Sequence, residues 1–288
     1  MFQGSIVAIV TPFKDGNVDY DGLAKLIEMH IEAGTDAILP CGTTGESPTL
    51  SHAEHDEVIE QVVKMVKGRR PVIAGTGSNS TAEAIRLTKH AQDAGADGSL
   101  QVCPYYNKPT QEGLYRHFKA VAEAVDIPLM LYNIPGRTGR NIDVDTMVRL
   151  SDIKNIVAVK SAAGSTDKVT EIVIRTDLAV LSGDDSMTLP FMALGAKGVV
   201  SVVANVVPKD VKRMVDAFAA GGAEKARKLN AKLYPLSKAM FVETNPGPVK
   251  TAMHLLGMIE PTLRLPMAEP SEASKERIRK ALADYGLM

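Results

Sequence analysis

Residues 156–160 read Ile156-Val157-Ala158-Val159-Lys160. An apolar run that ends in a lone lysine predicts a buried strand that delivers an amine to the rim of a core. Desolvation there disfavours the ammonium form, so the amine can be nucleophilic near neutral pH, as a Schiff-base enzyme requires. The plainer alternative is a lysine that snorkels from a strand end into solvent. Short β-rich runs of the same kind recur on both sides of this one. They predict strands over 5–11, 36–41, 71–74, 98–102, 128–132, 156–160, 179–182 and 198–202. Amphipathic helical stretches lie between them. The stretch 20–33 puts Leu23, Ile27 and Ile31 on one stripe and stops at Gly34, and 82–94 stops at Gly95. Eight β-α units over roughly 220 residues fit a closed parallel (β/α)8 TIM barrel. An open doubly wound sheet would carry G-x-G-x-x-G after its first strand. This chain instead runs into Thr11-Pro12-Phe13, and Gly75-Thr76-Gly77 is only a partial match.

Beyond the eighth strand the pattern is purely helical, over 209–219, 223–242, 249–256 and 271–283, with a break at Asn245-Pro246-Gly247-Pro248. We expect a catalytic barrel over 1–222 and a C-terminal helical domain over 223–288, an appendage available for assembly. A net charge of −1 and no basic run argue against nucleic-acid or anionic-membrane partners. No stretch approaches the length of a membrane span, and the N-terminus reads as a strand rather than a signal peptide. The two cysteines, Cys41 and Cys103, suggest no disulfide framework, so the expected location is cytoplasmic.

In a barrel of this type the chemistry sits at the C-terminal strand ends. Gly42-Thr43-Thr44-Gly45-Glu46 offers backbone N–H groups and two hydroxyls able to hold a small carboxylate, or is a plain turn. Tyr132, one β-α unit before Lys160, is either a proton relay or a core tyrosine. Arg137, after a Pro-Gly turn, either clamps a carboxylate or is an ordinary exposed arginine. Asp184-Asp185 is a weak candidate for Mg²⁺. No nucleotide loop or convincing metal set is apparent, so no cofactor or metal is expected.

These motifs resemble the dihydrodipicolinate synthase family of pyruvate-dependent class I aldolases. The resemblance runs from Gly4-Ser5-Ile6-Val7 to Leu263-Arg264-Leu265-Pro266, and Gly42–Glu46, Pro104-Tyr105-Tyr106-Asn107 and 132–139 carry it in combination. It implies that Lys160 forms an imine with pyruvate. It also implies that Tyr132, Thr43 and Tyr106 relay protons, with Tyr106 reaching a neighbouring subunit's site. Thr43 and Thr44 would hold the pyruvate carboxylate, Arg137 would meet the carboxylate of aspartate semialdehyde, and the Val200 backbone would line the pocket. The implied assembly is a homotetramer, a dimer of dimers, acting in lysine and diaminopimelate biosynthesis. The arginine at 137 favours a short anionic aldehyde over the long polyols of sugar-acid lyases such as the N-acetylneuraminate type, the alternative reading. A non-catalytic barrel that binds small molecules is a third.

One departure stands out. The family carries an acidic residue after the lysine, then a small residue and Ser or Thr, whereas this chain has Ser161-Ala162-Ala163. Either a supporting position has drifted, or lysine activation or substrate has changed. The resemblance also implies an L-lysine effector site at Ser47, Pro48, His52, His55, Asn79, Glu83 and Tyr105. From spacing alone, His52 and His55 are two solvated helix histidines or a weak metal pair.

Overall fold

The computed structural model describes residues 2–288. Eight parallel strands, Gly4–Ala8, Ala37–Leu39, Ile73–Gly75, Gly98–Val102, Leu129–Asn133, Ile156–Ser161, Ala179–Ser182 and Gly198–Ser201, follow one another around a barrel. The first strand pairs with both the second and the eighth. The second and third meet at a bridge between Ile38 and Val72, where Ile38 N–H donates to Pro71 O at 3.0 Å and Gly75 N–H to Pro40 O at 2.9 Å. The ring is thereby closed. The strands lie within a residue or two of the expected ones, except that the first ends at Ala8 rather than running on to Thr11. A hairpin of Phe13–Lys14 with Asn17–Val18 follows it, which periodicity over two residues does not reveal.

Side-chain alternation sorts the core into two layers. Ile6, Leu39, Ile73, Leu100, Met130, Tyr132, Ala158, Leu181 and Val200 form one buried cluster inside the barrel. Their neighbours Leu131, Val159 and Val180 point outward and pack with Leu114, Phe118, Met147 and Ile172 of the surrounding helices. Helix Tyr20–Glu32 buries Leu23, Leu26, Ile27 and His30. Ile31, expected on that stripe, is only partly buried, because the face turned to the barrel is centred near Leu23 and His30 and Ile31 sits at its edge.

The C-terminal helices Ala223–Ala239, Gly247–Leu255 and Glu272–Tyr285 share a hydrophobic cluster with the barrel. Leu236, Met240, Val249, Met253, Ile278 and Leu282 are buried together with Val7, Ile9, Ile27 and Val203. No described helix is long and apolar enough to cross a membrane.

Candidate active site

Tyr132 and Lys160 are direct register partners on the fifth and sixth strands, and Lys160 is in turn opposite Leu181 on the seventh. Met130 and Ala158, one pleat below, face the barrel interior, so both functional side chains emerge at its C-terminal mouth. Lys160 Nζ lies 4.2 Å from the centroid of the Tyr132 ring. Both residues are buried. Burial pulls the Lys160 amine down to about 7, against the opposing pull of the Asp185 charge, and Arg137 lowers it further. Burial pushes the Tyr132 phenol up to about 12, while Arg137 and a hydrogen bond with the Thr43 side chain work in the other direction. The lysine therefore does not snorkel, and the tyrosine is the partner of both Lys160 and Thr43.

Gly183 makes room for the amine. A Cβ on this residue would stand 3.1 Å from Lys160 Cγ and Cε and 3.0 Å from Ala162 Cβ, so the lysine stem runs along bare backbone. Val200 is buried on the eighth strand. Just beyond it, Asp185 accepts from Ser201 Oγ at 2.5 Å and from the N–H groups of Val202 and Val203 at 2.9 and 3.1 Å. Asp184 accepts from Ser186 N–H and Oγ, both at 2.9 Å. Asp185 thus engages both carboxylate oxygens with internal donors, and Asp184 engages Oδ1 with Ser186. No cluster of three or more His, Cys, Asp or Glu suited to a metal occurs among the described residues. Cys41 and Cys103 are buried free thiols.

A cavity of about 350 Å³ opens at this mouth. Thr43, Tyr132 and Arg137 line one part of it, and Ser47, Pro48, His52, His55, Glu83 and Tyr105 another. Thr44 is buried beside it and accepts a hydrogen bond at 3.0 Å from Asn245. Arg137 is exposed and donates to the Asn245 carbonyl at 2.9 Å. Tyr106 is the one expected relay member that the chain does not bring in. It is 89% exposed, in the left-handed region at φ +70°, and does not line the cavity.

The second group of residues is also more ordered than the spacing indicates. His55 is buried, with Nε2 2.9 Å from Gly75 O, and burial lowers its pKa. This corrects the picture of two solvated histidines. His52 is the exposed one, and its Nε2 sits 2.8 Å from Glu83. Glu83 is held below the usual carboxylate range, first by a hydrogen bond from Ser78 and then by His52. Asn79 donates to Tyr105 O at 3.2 Å.

The comparisons with known proteins agree with this geometry. The model of the dihydrodipicolinate synthetase family matches residues 1–285. The chain belongs to the dihydrodipicolinate synthetase family. Within the family, the 4-hydroxy-tetrahydrodipicolinate synthase of Geotalea uraniireducens is 58% identical over the full length of both chains. The crystal structure of dihydrodipicolinate synthase from Aquifex aeolicus superposes with a TM-score of 0.98 at 56% identity, covering 99% of this chain and 98% of that one. A chloride-inhibited family enzyme from Acinetobacter baumannii, solved with pyruvate, is 50% identical with a TM-score of 0.97 and full coverage of both chains. The enzyme from Cyanidioschyzon merolae, solved with lysine bound, is 44% identical with a TM-score of 0.96, covering 100% of this chain and 99% of that one.

Two sets of residues near the site carry no motif that spacing alone exposes. One is Asn245, Lys250 and Arg264, which reach the Gly42–Glu46 loop from 200 positions and more along the chain. The other is Gly183 with Asp185. Their only signals were the Asn245-Pro246-Gly247-Pro248 break and the paired aspartates at a strand end. Ser161 lies on the face of the sixth strand opposite to Lys160, by alternation, and is buried. The serine that replaces the acidic residue thus falls outside the barrel interior.

Proposed function

We propose that this protein is a lyase that condenses pyruvate with L-aspartate 4-semialdehyde to 4-hydroxy-tetrahydrodipicolinate, in lysine and diaminopimelate biosynthesis. The observation that carries the reading is the buried Lys160 amine, with a pKa near 7, in register with Tyr132. Full-length likeness to enzymes of that name supports it, as does the likeness to the pyruvate-bound structure. Lys160 Nζ adds to the pyruvate carbonyl, and loss of water gives an imine. The imine acidifies the adjacent methyl group, and loss of a proton there gives an enamine. The enamine carbon attacks the aldehyde carbon, forming the C–C bond. The amine of the aldehyde component then displaces Lys160 and closes the ring. Tyr132 and Thr43 pass the protons, and Tyr106 completes the relay from a neighbouring subunit. Thr43 and Thr44 hold the pyruvate carboxylate, the Val200 backbone lines the pocket, and Arg137 at the rim receives the carboxylate of the aldehyde.

The extreme exposure of Tyr106 supports a working assembly of at least a dimer, and we take the tetramer as that assembly. The same reading makes residues 1–222 the catalytic unit and 223–288 the appended helical domain. Free thiols in place of disulfides fit a cytoplasmic protein.

The test is condensation by the purified protein, coupled to the downstream reductase. Activity that disappears in Lys160→Ala establishes the synthase. A folded protein that forms the pyruvate imine but leaves aspartate semialdehyde untouched points to another aldehyde, as in a sugar-acid lyase. We also propose L-lysine as an effector at Ser47, Pro48, His52, His55, Asn79, Glu83 and Tyr105. Glu83 would meet an ammonium group there, while Asn79 and Tyr105 offer hydrogen bonds. The likeness to the lysine-bound enzyme supports this. An unchanged rate at millimolar L-lysine rules it out.

A further inference from the structure

The Gly42–Glu46 loop is fastened from the far end of the chain. It is bracketed by two non-glycine residues in the left-handed region, Cys41 at φ +54° and Glu46 at φ +53°. That conformation persists only where the surroundings hold it. Lys250, on the helix Gly247–Leu255, meets the Glu46 carboxylate at 2.6 Å, and the two side chains are 0% and 1% exposed. Lys250 Nζ also donates to Thr11 O at 2.9 Å, and the Thr11 hydroxyl donates to Gly45 O at 2.7 Å. The other Glu46 oxygen accepts from Arg264 N–H at 3.1 Å. Asn245, at the entry to the same helix, donates to Thr44 Oγ1 at 3.0 Å. Positions 44, 45 and 46 are thus each bonded, directly or through Thr11, to the segment 245–264.

A buried ion pair is a poor means of gaining stability, because well-packed apolar side chains of the same volume serve as well or better. What it provides is direction: both partners must sit in one geometry to satisfy their charges. Here the geometry so fixed is that of the two threonines at the pocket.

We propose that Lys250 and Asn245 are positioning residues for pyruvate, which act through Glu46 and Thr44 to hold the Thr43-Thr44 turn in the shape that receives the carboxylate. This rests on the pyruvate reading above. The C-terminal helices would then set the affinity for the first substrate without touching it.

Borohydride trapping of the Lys160 adduct, followed by mass while pyruvate is titrated, separates binding from chemistry. Two variants are informative. Glu46→Met/Lys250→Met removes both charges together and leaves neither buried alone. Asn245→Ala removes the bond to Thr44 and involves no charge. In both we expect complete trapping at saturating pyruvate. The half-trapping concentration should rise by about tenfold or more in the double variant and by about fivefold in Asn245→Ala, with kcat down by less than about threefold. A half-trapping concentration within about twofold of the parent chain in Asn245→Ala overturns the proposal, and so does the same result in the double variant. If the double variant does not fold, Asn245→Ala decides alone. A parent chain that traps no pyruvate at all overturns the pyruvate reading, and this inference with it.

Discussion

Lys160 holds its reactivity at the expense of the fold. In the unfolded chain its amine binds a proton below the ordinary lysine value, whereas in the folded chain it does so only below about 7. As pH falls from about 10.5 to about 7 the unfolded state therefore gains protons that the native state refuses, and stability drops by on the order of 4 kcal/mol. Lys160→Met, close in size and uncharged, should raise the melting temperature at pH 7, with the gain fading above about pH 10. Thermal scans at pH 7 and pH 10.5 check this, and an equal gain at both would show that the amine bears no such penalty. The same ionisation predicts that kcat/KM for pyruvate rises with pH through about 7, since only the free amine adds to the carbonyl. A profile flat from pH 6 to 8 would contradict it. Gly183→Ala should leave the fold intact and lower kcat by roughly 10- to 100-fold, because the new Cβ displaces the lysine stem. Steady-state kinetics alongside circular dichroism measure both. At this scale the sequence was legible where a reactive type ends an apolar run, as at Lys160 and Tyr132. It was silent on Gly183, whose importance is the space it leaves, and on whether Arg137 was spoken for by Asn245.

Short apolar runs bounded by turn residues were legible as strands. The runs 98–102 and 179–182 appear in the structure with the same bounds. Strand ends were less clear where β-rich sequence continues past the strand, as at Ile9-Val10-Thr11: Ile9 N–H still bonds Leu39 O, but Val10 N–H turns to the Asn205 side chain and the Thr11 hydroxyl to Gly45 O. The helix His52–Val66 shows how local chemistry and a remote strap combine. Ser51 and Glu54 form a reciprocal capping box, and the Glu54 carboxylate is gripped at 2.6 and 2.9 Å by Arg264. That arginine holds the Glu54 carboxyl down at about 2. Ser51→Ala should cost about 1 kcal/mol, and Arg264→Ala should cost more because its guanidinium also bonds Thr49 and Gly16. Chemical denaturation of the two variants tests the order, and a larger loss in Ser51→Ala would refute it. The capping box is local, between residues three apart. The strap is not, and nothing in one dimension brings residue 264 to residue 54.

For the whole molecule, eight repeats and the absence of an early glycine fingerprint were enough to indicate a barrel. What a single chain does not supply is a buried Tyr106. If that tyrosine serves a neighbour, two defective chains should repair each other. Mixing Lys160→Ala with Tyr106→Phe under conditions of subunit exchange leaves half the dimers mixed. One site in each of these has both residues, so activity should climb to about a quarter of the parent value. Activity that stays at the average of the two defective parents would mean that Tyr106 serves no partner's site. The closure of the barrel has its own consequence. The seam between the second and third strands joins the shortest strands of the ring. It is flanked by Pro40 and Pro71, which accept hydrogen bonds but have no N–H to give. The ring therefore has a weakest link, beside the turn that leads into Gly42. Deuterium should enter at Ile38 and Gly75 before it enters the sixth strand, and a molecule seated on the threonines should slow that leak by holding the hoop shut.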